Sequence, residues 1–372
     1  MRGAWFPTTL RANFFLAVAA AIALAAVALG VVPWRTIPEV EDVRLLTVLA
    51  ALVLSVGLVR ASGALDFAVR RAIRRFSRAR TLTAALVVAS GALSAVVTND
   101  VALFVIVPFT VAAARYSDFR VRNAVILEVT AANLLGCVSP IGNPQNIFLL
   151  HRSGMSIGRF FVVMAPFGLV AAGVLAGAIL ILEPARSVQP VERPVPTVAP
   201  APAAAGIAGI VLVLASIGGV LAPGIALGVA GAAWLAFPKH RGDSSSLAIV
   251  PLFFFVFIDM AAIAALRFSD VYARLPLPPG PRLYAAGALF SEAISNVPAA
   301  VLLAPSAGGL WKTLLYAVNV GGCGTLVASL ANLLGWQIYV HERGPDPVYL
   351  GRFYRVSFAF LGILSVAVFL LI

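Results

Sequence analysis

Apolar runs of helical length recur along the chain from Phe14 to its last residue, separated by short loops in which arginines collect. No ten-residue segments of sustained in-out alternation occur, so the pattern predicts membrane helices rather than a transmembrane barrel. Spans are expected near residues 14–32, 45–59, 81–97, 101–114 and 123–136, then 160–182, 205–220, 225–237, 247–266, 284–304, 314–340 and 353–372. The first run is longer than a signal-peptide core. It ends in Val31-Val32-Pro33-Trp34-Arg35 rather than a small-residue cleavage site, which predicts a retained span.

Three interruptions carry more information than the runs themselves. In the stretch ALDFAVRRAIRRFSRAR, Leu65, Val69, Ala72, Ile73 and Phe76 share one helical face, while Arg70, Arg71, Arg74, Arg75 and Arg78 occupy the other. That pattern predicts an interfacial helix over residues 64–78, lying on the cytoplasmic leaflet. Second, residues 81–97 and 101–114 are joined only by Thr98-Asn99-Asp100, a polar tip that predicts a re-entrant hairpin. Third, GCVSPIGNPQN, from Gly136 to Asn146, places two prolines, two glycines and two asparagines where lipid would demand an unbroken helix.

The basic loops fix an expected orientation. Arg2 and Arg11 fall inside with the N-terminus, the acidic loop of Glu39, Glu41 and Asp42 outside, and Lys239-His240-Arg241 and Arg343 inside, which leaves the C-terminus outside. The first hairpin then leaves and returns to the inner side, and the pair over residues 284–304 enters from the outer side.

The two halves also align in sequence. Asn133, Gly136, Cys137, Ser139 and Asn146 meet Asn319, Gly322, Cys323, Thr325 and Asn332 at a constant offset of 186. Thr98-Asn99-Asp100 through Pro108 meets Ser295-Asn296-Val297 through Pro305 at an offset of 197. The expected organisation is a first repeat over residues 1–182, a Pro-rich linker over 183–204 and a second repeat over 205–372. The fold class is therefore an all-α polytopic membrane protein of two inverted-topology repeats, each with a re-entrant hairpin and a broken transmembrane helix.

Interrupted segments at matching positions of inverted repeats point to a secondary transporter with a midplane site. Unwinding frees backbone N–H and C=O groups, which is tolerable only where they face a wet cavity or bound ions. Half-helix N-termini attract anions, and unwound carbonyls with Asn and Ser/Thr oxygens suit sodium. The candidate substrate- and ion-binding positions are Thr98, Asn99, Asp100, Asn133, Ser139, Pro140, Gly142, Asn143 and Asn146 in the first half. In the second they are Ser295, Asn296, Asn319, Thr325, Ser329 and Asn332.

Composition agrees with a membrane protein: 61% of residues are hydrophobic against 11% charged. The net charge of +12, carried by 25 Arg and 2 Lys, sits in short loops. It reads as a topology signal and an attraction to anionic lipid rather than as a nucleic-acid surface. Two cysteines make no disulfide framework, His151, His240 and His341 are expected in loops, and no spacing suggests a metal centre or a cofactor.

Four acids lie within spans or hairpins, where a charge costs a few kcal/mol unless paired or wet: Asp100, Glu128, Asp259 and Glu292. Asp100 is the first candidate for sodium or proton coupling and is also placed to N-cap a helix starting at Val101. Glu128 either approaches the same cavity as Asn133 or pairs with an arginine. Asp259 is expected as a proton relay or an arginine partner, and Glu292 as coupling machinery or a hydrogen-bond acceptor. Cys137 and Cys323 are equivalent in the two halves; they are either small buried fillers or a thiol pair for arsenite.

The tips TND and SNV with the loops GCVSPIGNPQN and GCGTLVASLAN resemble the ion transporter superfamily. Its citrate transporter-like domain includes arsenite permeases, sodium/proton antiporters and divalent-anion/sodium symporters. The resemblance runs from about Leu45 to the end and is nearest to the arsenite permease, antiporter and anion permease branch. It implies that the two tips and two unwound loops jointly build the substrate and coupling-ion sites, with part of the protein moving as an elevator. Dicarboxylate symporters carry Ser-Asn-Thr at both tips, whereas Asp100 and Val297 stand in the third positions here, which weakens the case for a dicarboxylate.

The expected function is secondary transport of a small anion or arsenite across the cytoplasmic membrane with proton or sodium coupling. Sodium/proton antiport is the alternative, and a di- or tricarboxylate symporter or an ion channel comes behind it. A channel is disfavoured because equivalent tips carry a charge and a hydrocarbon rather than a ring of like groups. An enzyme is disfavoured because no nucleophile is paired with a base. The expected partners are the transported ion, membrane lipid and a second copy in a homodimer, and no nucleic acid.

Overall fold

A computed structural model describes residues 8–37, 43–192, 194, 197–241, 247–264, 272 and 274–371. Arg2, the acidic loop of Glu39, Glu41 and Asp42, linker positions 193, 195 and 196, and Leu266 at the end of one expected span lie outside the described residues. Among those described there are sixteen α-helices and no sheet, only the isolated bridges Arg78 with Ser187 and Ser117 with Pro190. Six helices are long and apolar enough to cross a membrane, or seven if a bent pair counts as one span. The protein is an all-helical, multi-pass membrane protein.

The chain divides into two compact units, each drawing on both halves of the sequence. One unit comprises Met1–Ala72, Val191–Ala265 and Val340–Pro345. In it α1 (Thr8–Ala28) packs on α11 (Ile249–Ala264) through Ala23, Ala26, Val32 and Ile258. Helix α2 (Val43–Ala61) packs on α9 (Pro200–Ile217) and α10 (Pro223–Ala236). Lipid gives apolar helices little reason to associate, so polar contacts matter more here than area. Arg44 donates to the Ser216 carbonyl at 2.8 Å, and Arg60 forms a two-pronged ion pair with Glu342.

Helix α3 (Ala64–Arg75) turns off α2 by 71°. It buries Val69 and Ile73 and exposes Arg71, Arg74 and Arg75, as the amphipathic spacing predicts. The boundary between the two units falls within it.

The other unit comprises Ile73–Pro190, Leu266–Tyr339 and Asp346–Ile372. Its first-half helices are α4 (Ala79–Val96), α5 (Asn99–Tyr116), α6 (Val121–Leu134), α7 (Pro144–Ser153) and α8 (Ile157–Leu182). Its second-half helices are α12 (Pro279–Ile294), α13 (Asn296–Leu303), α14 (Trp311–Gly321), α15 (Leu330–Arg343) and α16 (Pro347–Phe369). Helices α4, α5 and α6 pack on one another, and α12, α13 and α14 do the same. The tips differ in reach: both arms of the first pair run 18 residues, whereas α13 runs 8.

Local chemistry sets several of these boundaries. Pro144 opens α7 at its first helical position, where a missing N–H costs nothing, and Gly154 closes it at φ 66. Asp346 caps α16 by accepting from the Val348 N–H, just before Pro347. Two of the histidines expected in loops are helical instead. His151 sits in the last turn of α7 and His341 in the last turn of α15, where a polar side chain can reach the helix end while the helix continues beneath it. His240 ends a short 3-10 turn.

The first part of the Pro-rich segment is tied down. Val188 donates to Ser77 at 2.7 Å, Ala79 to Arg186 at 3.0 Å and Asp118 to Gln189 at 3.1 Å, so residues 186–189 form a strap across two loops of this unit. Arg186 pairs with the Asp118 carboxylate, and Arg80 donates to the Leu180 and Glu183 carbonyls.

Candidate functional site

At the first tip, Thr98 ends the chain reversal and its hydroxyl accepts from the Val101 N–H, so Thr98 rather than Asp100 caps α5. The helix therefore begins two residues earlier than expected, and Asp100 lies in its first turn with its side chain buried. Asn99 hands its backbone N–H to the Gly142 carbonyl at 2.9 Å, which pins the tip to the first unwound segment. At the second tip Asn296 hands its N–H to the Ala328 carbonyl, also at 2.9 Å. Gly142 and Ala328 are 186 residues apart.

Both expected breaks are present. Helix α6 stops at Leu134, a 3-10 turn covers Gly136–Val138, and α7 resumes at Pro144. Helix α14 stops at Gly321 and α15 resumes at Leu330. The turn internal to each break is the same: Gly142 donates to the Ser139 carbonyl and Ala328 to the Thr325 carbonyl, each at 3.3 Å. The first break needs its glycines. A Cβ on Gly142 would stand 2.0 Å from the Gly136 carbonyl oxygen, and one on Gly136 would stand 2.0 Å from Ser94 Oγ.

Asparagines knit the first tip and the two breaks together, while the second tip joins through the Asn296 N–H. Asn99 Nδ2 donates to Asn133 Oδ1 at 2.9 Å, and Ser329 Oγ donates to the same oxygen at 3.0 Å. Asn133 Nδ2 donates to Asn332 Oδ1, while Asn319 Nδ2 donates to Asn146 Oδ1, both at 2.8 Å. Asn143 joins the halves by donating to the Asn133 carbonyl at 3.0 Å and to Asn319 Oδ1 at 3.3 Å. Gln145 Nε2 also donates to Asn319 Oδ1, at 3.0 Å. All of these side chains are buried.

Gln145 was not among the sequence candidates. Its partner at the 186 offset is Ala331, so repeat alignment hid it. The available signal was a buried polar residue between Pro144 and Asn146 in a helix start.

The donors of this cluster are better satisfied than its acceptors. Asp100 Oδ1, Asn143 Oδ1, Gln145 Oε1 and Ser295 Oγ are buried and have no hydrogen-bond partner among the described residues. Such groups are rare in native proteins. Ser295 also holds φ at 76, the left-handed region, alone among described residues other than glycine. That conformation costs on the order of 1 kcal/mol and is typical of functional turns.

The remaining candidates fall outside the asparagine cluster. Thr110 Oγ1 donates to Glu128 Oε1 at 2.6 Å, so Glu128 finds a hydroxyl rather than the arginine considered for it. Asp259 belongs to the other compact unit, in α11, and its Oδ1 has no partner among the described residues. Glu292 accepts two backbone N–H groups from the second break. Pro140 is buried but contributes shape alone, and the Ser139 hydroxyl accepts from Ile141 N at 3.4 Å. Cys137 and Cys323 are free and buried, and the Cys137 thiol donates to the Leu134 carbonyl at 3.0 Å.

Residues 14–321 match the citrate transporter family. The chain belongs to that family. Inner membrane protein YbiR of Escherichia coli is 33% identical over 309 residues, covering 80% of each chain. An uncharacterized transporter of Methanocaldococcus jannaschii is 29% identical over 307 residues, covering 82% of this chain and 80% of its own. An uncharacterized transporter of Mycobacterium tuberculosis shares 28% identity over 130 residues, 35% of this chain. As a member of the citrate transporter family with this helical architecture, the protein is a membrane transporter. The family match begins at residue 14, upstream of the resemblance read from the motifs, so α1 is part of the family's frame.

Proposed function

We propose that this citrate transporter family member is a secondary active carrier of a small anion or arsenite across the cytoplasmic membrane, driven by protons or sodium. Its two sequence halves act as inverted repeats about the asparagine cluster. The boundaries are those expected from the sequence, residues 1–182 and 205–372, with the N-terminus inside. The observation that carries the reading is the exchange of partners: Asn133 binds Asn332 while Asn319 binds Asn146. Equivalent residues that trade partners are what a two-fold axis through a central site produces.

The first half supplies the polar excess. Asp100, Asn143 and Gln145 offer buried oxygens to a cation, and their counterparts Val297, Ser329 and Ala331 do not offer the same set. Cation binding is accordingly assigned to the Asp100 side. The decisive measurement is uptake into proteoliposomes of arsenite, phosphate and citrate under an imposed sodium or pH gradient. Concentrative uptake that an ionophore abolishes is expected; uptake that only equilibrates, gradient or not, would rule out a coupled carrier.

A second reading is sodium/proton antiport, favoured by the unpartnered buried carboxylate oxygen of Asp100. It requires sodium-dependent proton flux in the absence of any added anion. Proton flux seen only when an anion is present would reject it.

A further inference from the structure

The second break already holds an anion, supplied by the chain itself. Glu292 lies one turn before the tip residue Asn296, on α12. Its Oε1 accepts from the Gly324 N–H at 2.8 Å and its Oε2 from the Thr325 N–H at 2.5 Å, while Thr325 Oγ1 donates back to the Glu292 carbonyl at 2.8 Å. Two successive N–H groups aimed at one carboxylate form an anion-binding nest. The approach depends on Gly324, where a Cβ would stand 2.1 Å from Glu292 Oε1 and 2.4 Å from its Cδ. Glu292 and Thr325 are both partly exposed while Gly324 is buried, so an incoming group reaches the nest from the Thr325 side.

The first half has no such arrangement. Ala95 stands 197 residues before Glu292, and Val138 and Ser139 stand 186 before Gly324 and Thr325. Their N–H groups turn back on the carbonyls of Leu135 and Gly136 at 3.3 and 3.1 Å. A nest and a carboxylate that fits it thus occur together, in one half only. A purely structural brace would serve both breaks equally.

We propose that Glu292 is an exchangeable occupant of an anion site: when it takes up a proton, a carboxylate or oxyanion of the transported anion replaces it on the Gly324 and Thr325 N–H groups. This rests on the reading of the protein as an anion carrier and specifies where the anion binds. A proton added to the carboxylate turns one acceptor oxygen into a donor, so one of its two N–H bonds is lost. Glu292 sheds one negative charge as the anion brings one, and the charge at the nest is unchanged. Proton and anion therefore bind as a pair, through competition for two donors. The titratable group that faces Glu292 is the Cys323 thiol of the unwound segment. Helix α13 carries no charged residue, and Lys312, the one charge on α14, is turned to the Leu371 carbonyl.

The test is calorimetric titration of the purified full chain with citrate and, separately, acetate, in two buffers of different ionisation enthalpy, between about pH 5 and pH 8. The wild type is expected to take up about one proton per anion bound, with affinity falling up to tenfold per pH unit on the alkaline side. Glu292→Gln and Glu292→Ala, each checked by thermal melting, are expected to bind without proton uptake and without that pH slope. Wild-type binding with no proton uptake overturns the proposal whether or not either variant folds. So does a folded variant that keeps the wild-type proton count. Absence of binding of both carboxylates to the wild type overturns the proposal, as does binding without proton linkage; the anion-carrier reading fails separately, if none of arsenite, phosphate and citrate is concentrated in the proteoliposome assay.

Discussion

Asn133 Nδ2 lies 2.8 Å from Asn332 Oδ1, a hydrogen bond between residues 199 apart in the chain. The Asn133 side chain makes three bonds, since its own Oδ1 also accepts from Asn99 and Ser329. Replacing it by leucine would strand three buried partners at once. Each unsatisfied group costs roughly 1–3 kcal/mol, so Asn133→Leu is expected to lose about 3 kcal/mol or more. Adding Asn332→Leu should cost less than the sum of the two single changes, because the pair shares a bond. Denaturation in detergent micelles measures both quantities; strict additivity would mean that the 2.8 Å contact contributes nothing.

Asp100 has a buried oxygen without a partner and sits where the other half carries Val297. Asp100→Asn keeps the shape and removes the charge. The variant is expected to fold and to lose at least about tenfold in ion-driven uptake in proteoliposomes, the effect of roughly 1.4 kcal/mol in a binding step. Unchanged coupling in a folded Asp100→Asn protein would remove the residue from the mechanism.

Glycine substitutions should separate the site from the membrane-facing surface. Gly142→Ala drives a Cβ against a backbone carbonyl, whereas Gly173→Ala and Gly177→Ala meet nothing within 4 Å. The first is expected to destabilise by about 2 kcal/mol or more, as overpacking does. The other two should be neutral or gain up to about 1 kcal/mol, since alanine is the better helix former. Melting temperatures that fall equally for all three would contradict the close approach at the first break.

The strap over residues 186–189 should loosen at both ends of the pH scale. At Asp118, burial is the largest single influence and raises the carboxyl, but the Gln189 N–H and the Arg186 guanidinium together outweigh it and hold the group below the usual 3.8. Its stabilising contribution is therefore present above 3.8 and is lost as pH falls through the depressed value. Glu183 behaves oppositely. Burial pushes its carboxyl up to about 7 against the usual 4.5, with Asn123, Arg186, Arg352 and Arg120 only partly offsetting this. The folded chain then holds more protons than the unfolded one between 4.5 and about 7, and stability declines as pH rises through that window. Hydrogen exchange at the Ala79, Asp118 and Val188 amides reads the strap directly. Glu183→Gln should abolish the alkaline acceleration and leave the acid one; if it alters neither, Glu183 does not govern the strap.

Much of this organisation was legible in the sequence because membrane helices punish interruption. The glycines of the first break and the amphipathic register of α3 were readable in this way, and the structure follows them. The polar tip at Asn99 fitted two spans or a re-entrant hairpin, and both of its arms, α4 and α5, are long and apolar enough to cross a membrane. The 186-residue offset also named Asn133, Asn146, Asn319 and Asn332 as one group before any contact was known. What escaped were features that depend on three-dimensional pairing. Gln145 has no counterpart in the repeat. Thr98 takes the capping role that Asp100 was also suited to, because its hydroxyl is two residues closer to the reversal. The partner of Glu128 is Thr110, 18 residues away on a neighbouring helix, and no spacing rule singles out that hydroxyl.

The crossed asparagine bonds also bear on how the chain matures. They join residues 199 and 173 positions apart, so neither can form until nearly the whole polypeptide has been synthesised. Contacts of such long range close late and expose their unpaired groups meanwhile. A chain halted before Asn319 would insert its first helices with Asn133, Asn143 and Asn146 still lacking their distant partners. These amides stay unpaired until the second half arrives to close them.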